Sequence, residues 1–579
     1  MKHNLPIGTA QPSVNWASRS LTVAMMFLAF MGLWQPKEVF GVGSWSAVGS
    51  QPGDNIGICL LLPDGTVMAE GSSNAWWALT PDSTGNYSNG TWTRRVNSTW
   101  GHQDGSTAVL TNGNVFVAGG ENGNGINQVE IYNPVTGLWS VAINPAPVGS
   151  GGISDGNAML LPNDEVMIYP EDNETWLFNP ANNTLSLTTG QPRQGIGEVC
   201  WVKLPNDNIL TIDSDNSSSG ATTAEYYDPS TGTWQNAVTG GTVPNIWPNM
   251  NGTGDVSEMG PAFLLPNGNA IFFGGNGVTA VYDNGIWSQC ASLPGTLGQK
   301  DAPGAMMVNG KILLAVSPQG VNSSQSDANG IGPTSFYEYD YLTNSGNGGF
   351  SPAPSPGSGI SGRAQGTKLL DLPSGNVLLS PGGGQLYVYK PDGSPLAAGQ
   401  PNITKVQWNS NGSLHLTGTL FNGISQGAAY GDDEQMDTDF PLVRFSGGGN
   451  VYYGTTYNWS STSVQTGSRI VTTEVTVPPA VLEFPEQWSL QVVANGIASP
   501  GVSFYSPVWV DFNYSGIQFG WEPFPYETLP QGVTAIAGSY PGGTIAIEGN
   551  PSTGHETVPY TISTPMTIIS VSGPATINH

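Results

Sequence analysis

From about residue 58 to residue 390 the chain alternates short apolar runs with clusters of Gly, Pro, Asn and Asp. One phrase recurs: an apolar run, a turn such as Leu-Pro-Asn-Gly, and a second apolar run. The copies are LLPDGTVMAEG from Leu61, VLTNGNVFVAGG from Val109, LLPNDEVMIYP from Leu160, VKLPNDNILTID from Val202, LLPNGNAIFFGG from Leu264, MMVNGKILLAV from Met306 and LDLPSGNVLLSPGG from Leu370. Each predicts a hairpin, because Asn-Gly, Asp-Gly or Asn-Asp makes a tight turn between two strands. Both strands are apolar at nearly every position, so both faces of each hairpin are expected to be covered, as in stacked sheets. A second phrase usually follows: EIYNPVTGLWS from Glu130, TWLFNPANNTLS from Thr175, EYYDPSTGTWQ from Glu225 and AVYDNGIWSQ from Ala280. Its aromatic opens a third strand, a turn follows, and Trp139, Trp234 or Trp287 opens a fourth.

Four strands per repeat, at blade-like intervals, resemble the kelch family of β-propellers. The resemblance covers residues 44–398 and implies a seven-bladed kelch-type β-propeller. The seventh copy continues as LYVYKPDGSP and brings no tryptophan strand, whereas GSWSAVGSQP near residue 44 is a fourth-strand phrase with no blade before it. Residues 44–48 are therefore expected to close the last blade, which would leave the ring without a free edge.

After Pro401 the pattern changes. ITKVQW, SLHLTGTLF, PLVRFSGGGNVYYGTTYNW, SRIVTTEVTVP and WSLQVVANGIASPGVSF alternate like strands of an immunoglobulin-like sandwich over residues 401–505. A kelch propeller followed by such a domain resembles galactose oxidase and its relatives, in which an early-set domain packs under the propeller. Residues 508–579 resemble the start of a parallel β-helix, with Thr528 to Ala537 as a capping helix and GTIAIEG and MTIISVSG as successive rungs. The expectation is an all-β chain: propeller, immunoglobulin-like early-set domain, and a short β-helix-like C-terminal segment.

Composition narrows the function. Gly (79) and Pro (45) are abundant, but 18 Trp, 20 Tyr and 18 Phe can fill a large core, so the turn-rich profile does not mean disorder. The net charge of −27, with only 15 Lys+Arg, repels phosphate backbones and excludes nucleic acid as a partner. A protein or a neutral glycan remains as partner. Lys2 and Arg19 precede an uncharged run from Leu21 to Trp34. That run is shorter than the about 20 apolar residues of a membrane span, so residues 1–42 are expected to be a signal peptide or signal anchor. The body is then secreted or at the cell surface, with no other membrane-spanning run. Cys59 and Cys200 sit in apolar runs and read as buried thiols.

The galactose oxidase resemblance implies one copper held by two tyrosines and two histidines, one tyrosine being cross-linked to a cysteine. The family's Tyr-His pair precedes the turn of the last blade; Gln365 and Gly366 stand there. GHQDGSTAVLTNGNVF, where the cross-linked tyrosine belongs, has no tyrosine, and Cys59 has no evident tyrosine partner. The early-set histidine falls at Tyr457. The resemblance therefore implies a relative without the copper ligands, with no catalytic residues and no cofactor. The five histidines show no metal-ligand spacing, and neither a G-x-S-x-G elbow nor a Walker loop is present.

Two weaker candidates remain. AYGDDEQMDTDFP places Asp432, Asp433, Glu434, Asp437 and Asp439 together as a candidate calcium site, although it lacks the D-x-D-x-D-G pattern and also reads as a solvated acidic loop. Trp76, Trp77, His102, Asp104 and Trp247 are candidates to meet a ligand at the propeller mouth, against core or loop roles for the same residues. The function expected is an exported, non-catalytic β-propeller binding or interaction protein, associated with carbohydrate or the cell envelope. The alternative is a copper-radical oxidase-like or other carbohydrate-active enzyme.

Overall fold

The computed structural model describes Met1 and residues 43–578, except 125, 150, 155, 171–173, 193–194, 198, 214–222, 248–258, 320–330, 431–434, 484–486, 541, 550–552 and 556–559. The expected signal segment thus lies outside the described residues. Among them, no helix is long and apolar enough to cross a membrane.

Among the described residues, six sheets form self-contained blades of a β-propeller, each built on four antiparallel strands. The first blade is Cys59–Leu61, Val67–Glu70, Trp76–Thr80 and Thr91–Arg94, and the second Ser106–Val109, Val115–Ala118, Val129–Asn133 and Leu138–Ile143. The third is Ala158–Leu160, Val166–Ile168, Trp176–Asn179 and Thr184–Leu187, and the fourth Val202–Lys203, Ile209–Ile212, Ala224–Asp228 and Thr233–Asn236. The fifth is Ala262–Leu264, Ala270–Phe273, Thr279–Asp283 and Ile286–Gln289, with Gly240–Gly241 added in parallel. The closing blade is Lys368–Asp371, Val377–Ser380 and Tyr387–Lys390, and its outer strand is Ser44–Ala47, antiparallel with Ser44 opposite Lys390. Between the fifth and closing blades, Pro303–Met306, Ile312–Pro318, Ser335–Asp340 and Gly349–Ala353 follow the same plan. That sheet runs on into Gly427–Tyr430 and Gln435–Asp437 from far down the chain.

The repeated phrases have direct physical counterparts. In the first turn, the Gly65 amide closes back on the Leu62 carbonyl (2.9 Å) with φ at +76°, a conformation that costs glycine nothing. The copies that read Asn-Asp place Asp164 and Asp207 in the same left-handed region, at φ 67° and 69°. The third-strand tyrosine packs on the fourth-strand tryptophan: Tyr132 on Trp139 at 5.1 Å, Tyr227 on Trp234 at 5.6 Å and Tyr282 on Trp287 at 5.2 Å between ring centroids. Tyr389 and Trp45, 344 positions apart by their numbers, repeat this pair at 4.8 Å in the closing blade.

The Leu-Pro-x-Gly turns share one face of the propeller, and the C-terminal sheet docks on it. The Thr456 amide donates to Pro63 O (3.4 Å), Gln465 Nε2 to Leu265 O (2.7 Å) and the Val451 amide to Ser83 O (2.8 Å). This sheet is a single curled one, running Asn402–Trp408, Leu414–Thr419, Val471–Thr476, Asn450–Tyr457, Leu442–Gly447, Gln487–Ala494 and Ile497–Ala498, with Val502–Tyr505 also on Gln487–Ala494. Leu414, Leu416, Phe445, Val475, Trp488 and Phe504 make its own core. Beyond it, Val508–Val510, Thr544–Glu548 and Thr567–Val571 pair in parallel, as do Thr553–His555 and Thr576–Asn578. The helix Leu529–Ser539 covers the first of these strands. Thr528 caps it reciprocally with Gln531, and Leu529, Val533 and Ile536 are its buried apolar side chains.

Candidate functional site on the propeller axis

The hairpin Gly427–Tyr430 and Gln435–Asp437 enters the propeller along its axis. Its first strand pairs with the innermost strand Pro303–Met306, with Ala428 opposite Ala305 and Tyr430 opposite Pro303, and both strands lie against innermost strands of other blades. The sequence suits this crowded path. A side chain at Gly427, whose φ is +99°, would collide with Thr438 Oγ1 and Asp371 Oδ2, and Ala428 and Ala429 follow as small buried residues.

Polar side chains hold the base of the hairpin. Asn495 Oδ1 accepts from the Ile424 amide (2.9 Å), and its Nδ2 donates to Ser425 O (3.0 Å). Gln426 Oε1 accepts the Lys203 amide (2.8 Å) and Nε2 donates to Trp201 O (3.3 Å), which stands in for strand partners of the short strand Val202–Lys203. The Lys203 ammonium, fully buried, bonds Asp439 Oδ2 at 2.7 Å and Thr462 O at 3.0 Å. Burial pushes the neighbouring Asp437 carboxyl well above the usual carboxylate range; the Asp439 charge adds to this and Lys203 opposes it. Asp371, on the innermost strand beside Gly427, is raised in the same direction by burial, and neither of its carboxyl oxygens has a hydrogen-bond partner among the described residues.

These contacts revise the acidic cluster. Asp432, Asp433 and Glu434 lie outside the described residues. Asp437 and Asp439 belong to the buried base of the hairpin, and Asp439 is committed to Lys203, so these two do not form part of a solvated calcium loop. Among the described residues no group of three or more His, Cys, Asp or Glu could hold a metal ion.

At its far end the hairpin reaches Gln365. Tyr430 donates its hydroxyl to Gln365 O (2.8 Å), and the Lys368 ammonium lies 3.2 Å from the centre of the Tyr430 ring. Gln365 Nε2 donates to Asp301 Oδ2 (3.2 Å) from the 3-10 turn Ala364–Gly366. The residue brought to Gln365 is therefore Tyr430. Tyr457 ends a strand of the curled sheet beside Gly113, on the face that carries the turns. The expectation for Tyr457 is corrected on this point: the alignment followed residue spacing, whereas the inserted hairpin is what carries the later sheet to the axis. The donors gathered here are an amide already bonded to Asp301, a glycine without a side chain, and a phenol bonded to a carbonyl. They do not fit the imidazole and phenolate set of a copper centre.

The candidates for the mouth are also relocated. His102 is buried, with Nδ1 2.7 Å from Gly119 O and Nε2 3.1 Å from Glu130 Oε2. Its amide donates to Glu70 Oε1 (2.9 Å), so it joins the first and second blades. Burial acts to raise the Glu130 carboxyl, but the bonds from His102, Thr99 and Trp100 outweigh it and hold it below its ordinary range. Trp76 is wholly buried, with its indole N–H on Ser98 Oγ (3.0 Å), and Trp247 is buried as well. These three are corrected to core positions, because their large apolar or hydrogen-bonded side chains fill space between blades. Trp77 is half-buried under Arg94, whose guanidinium lies 5.2 Å from its ring, and Asp104 accepts from Asn122 Nδ2 (2.7 Å). Cys59 and Cys200 are buried, as expected.

Residues 105–142, the span of the second blade, match the family model for the Kelch motif. No curated protein matches the chain. Solved structures that resemble it include a fungal alcohol oxidase of the AA5 family in complex with copper, at 13% identity over 80% of this chain and 100% of that chain, with a TM-score of 0.47. YjhT matches at 15% identity over 53% of this chain and 100% of its own, with a TM-score of 0.36. YCF48 bound to D1 peptide matches at 13% identity over 62% of this chain and 99% of its own, with a TM-score of 0.39.

Proposed function

We propose that this protein is an exported, non-catalytic binding protein built on a seven-bladed kelch-type propeller. In this reading the sheet of Pro303–Met306 to Gly349–Ala353 is the seventh blade, the curled sheet is an immunoglobulin-like early-set domain, and the parallel C-terminal strands begin a β-helix. The observation that carries the functional reading is the filled axis. A Gly-Ala-Ala strand occupies it, and Tyr430, Gln365 and Asp301 spend their polar groups on one another where a reacting group would have to sit. The strongly acidic composition and the N-terminal apolar run support export.

The test is metal analysis of the purified protein after incubation with copper, combined with peroxide release on primary alcohols and aldehydes. The expected result is no stoichiometric copper and no peroxide above the protein-free rate. Copper at one equivalent with peroxide release would overturn the proposal and favour the oxidase reading.

A further inference from the structure

Between the fourth and fifth blades, beside their Leu-Pro-x-Gly-type turns, lies a cleft of about 740 Å3, within the size range of sites for small ligands. A shortened turn forms one wall. Two fewer residues separate Tyr282 from Trp287 than separate Tyr227 from Trp234. The fourth blade turns through Pro-Ser-Thr-Gly, whereas the fifth uses only Asn284-Gly285, both at positive φ (48° and 90°) as a two-residue hairpin requires. The chain leaving the fourth blade meets this turn, the Thr239 and Gly240 amides donating to Gly285 O (2.8 and 3.1 Å). The opposite side of the cleft is formed by the Asn-x-Asn turns of these two blades, residues 206–208 and 267–269.

The lining has a consistent chemistry. Among the described residues it contains no Lys, Arg or His, and Asp283 is its one carboxylate. Phosphate and carboxylate ligands therefore find no counter-charge. Side-chain amides predominate, and they are oriented: Asn206 Oδ1 accepts the Asn208 amide and Asn267 Oδ1 accepts the Asn269 amide, each at 3.2 Å. This leaves the Nδ2 groups of Asn206 and Asn267 as fixed donors. The side chains of Asn208 and Asn269 have no hydrogen-bond partner among the described residues, although both are half-buried. Tyr226 adds a half-buried ring held by its hydroxyl to Gln235 Oε1 (2.9 Å), and Tyr282 lies across from it on the other blade.

Oriented amides with spare donors and acceptors beside aromatic rings match the alternating hydroxyl edges and C–H faces of a sugar. We infer that this cleft is a binding site for a neutral oligosaccharide, an assignment that rests on the reading of the chain as a binding protein. The pre-set amides reduce the ordering cost of binding.

The test is isothermal titration calorimetry of the full chain with cellohexaose, maltohexaose, xylohexaose and mannohexaose, with hexagalacturonic acid as the anionic comparison. At least one neutral hexasaccharide is expected to bind at millimolar concentration or below, and the anionic one to give no binding heat. The double variant N208A/N269A is expected to weaken binding about tenfold, as two lost neutral hydrogen bonds imply. A second variant, with Asn284-Gly285 replaced by the Pro-Ser-Thr-Gly turn of the fourth blade, should close the cleft and abolish binding, with circular dichroism checking that the variant is folded. Silence from all four neutral sugars, preference for the anionic one, or unchanged binding in a folded variant would each overturn the assignment. Silent titrations leave the non-catalytic reading standing, whereas peroxide release removes that reading without touching the cleft, so the two failures are distinguishable.

Discussion

Trp45 offers the sharpest test of how the ring is closed. Its indole packs against Tyr389 (4.8 Å) and Phe336 (5.0 Å), and its N–H donates to Pro354 O at 2.7 Å. Full truncation of a buried tryptophan costs about 3–5 kcal/mol. Trp45 is half-buried, so the packing share is about 2 kcal/mol, and the hydrogen bond adds about 1 kcal/mol. Trp45→Ala should therefore cost about 2–3 kcal/mol, and Trp45→Phe, which keeps most of the packing, about 1 kcal/mol. A chain of several packed units does not unfold in one step, so the quantity to compare is the first transition in calorimetry, with urea midpoints as a second measure. At about 2 °C per kcal/mol for a large domain, Trp45→Ala should lower that transition by about 4–6 °C. Deleting residues 43–47 should lower it further and increase light scattering before unfolding, because Tyr387–Lys390 becomes an open sheet edge. If Trp45→Ala melted with the wild type, the pairing of Ser44–Ala47 would be incidental and the ring closed by other contacts.

Three further outcomes follow from the buried charges. Glu130→Gln removes a carboxylate held low by His102 and two amides; it should cost about 1.5–3 kcal/mol at neutral pH. Because the folded-state pKa of Glu130 is depressed, that contribution is present above the unfolded carboxylate pKa and disappears as pH falls through the folded value, so urea midpoints of the two proteins should converge in acid. Asp371→Asn should act in the opposite sense. Its carboxyl is raised by burial, so the wild type loses stability as pH rises above the unfolded value of 3.8. The variant should be more stable at neutral pH by about 1–3 kcal/mol, the range for a buried unpaired group, with the gain vanishing near pH 4 in thermal melts. Lys203→Met leaves Asp439 buried without its partner and should cost about 3–5 kcal/mol, of which K203M/D439L should recover a large part in denaturant titrations.

The blades were legible in the sequence because they repeat. The Gly65 turn and the Tyr132–Trp139 pair recur in copy after copy, and each copy needs only contacts within about forty residues to form. Even Trp45 could be assigned, because a fourth-strand phrase stood without a blade. The axial hairpin was illegible for the opposite reason. Gly427-Ala428-Ala429-Tyr430 occurs once, is weakly apolar, and finds its partners in Pro303–Met306 and Gln365, a long way back along the chain. Asp437 and Asp439 looked like members of an acidic loop because burial of a carboxylate depends on a lysine 236 positions away. Trp76 and Trp247 carried no signal that could separate core from surface, since tryptophan serves both. A usable signal for the hairpin was the run of small residues directly before an acidic cluster, which is poor surface-strand composition but suits a narrow channel.

The filled axis also has a consequence for where binding can occur. Ligands of open propellers can reach polar groups around the central channel. In this chain the inserted hairpin occupies that channel, and at its end Gln365 holds Asp301 while Tyr430 donates to Gln365 O. A ligand placed there would have to break these bonds and leave buried partners unpaired, at about 1–3 kcal/mol each. On the opposite face, turns such as those at Pro63 and Leu265 support the curled sheet. In the cleft between the fourth and fifth blades the position is reversed. The half-buried side chains of Asn208 and Asn269 have no protein partner among the described residues, so a hydroxyl-bearing ligand there displaces water and breaks no bond of the fold. The inserted hairpin thus fills the axis, and the proposed recognition falls instead to the cleft beside the shortened turn of the fifth blade.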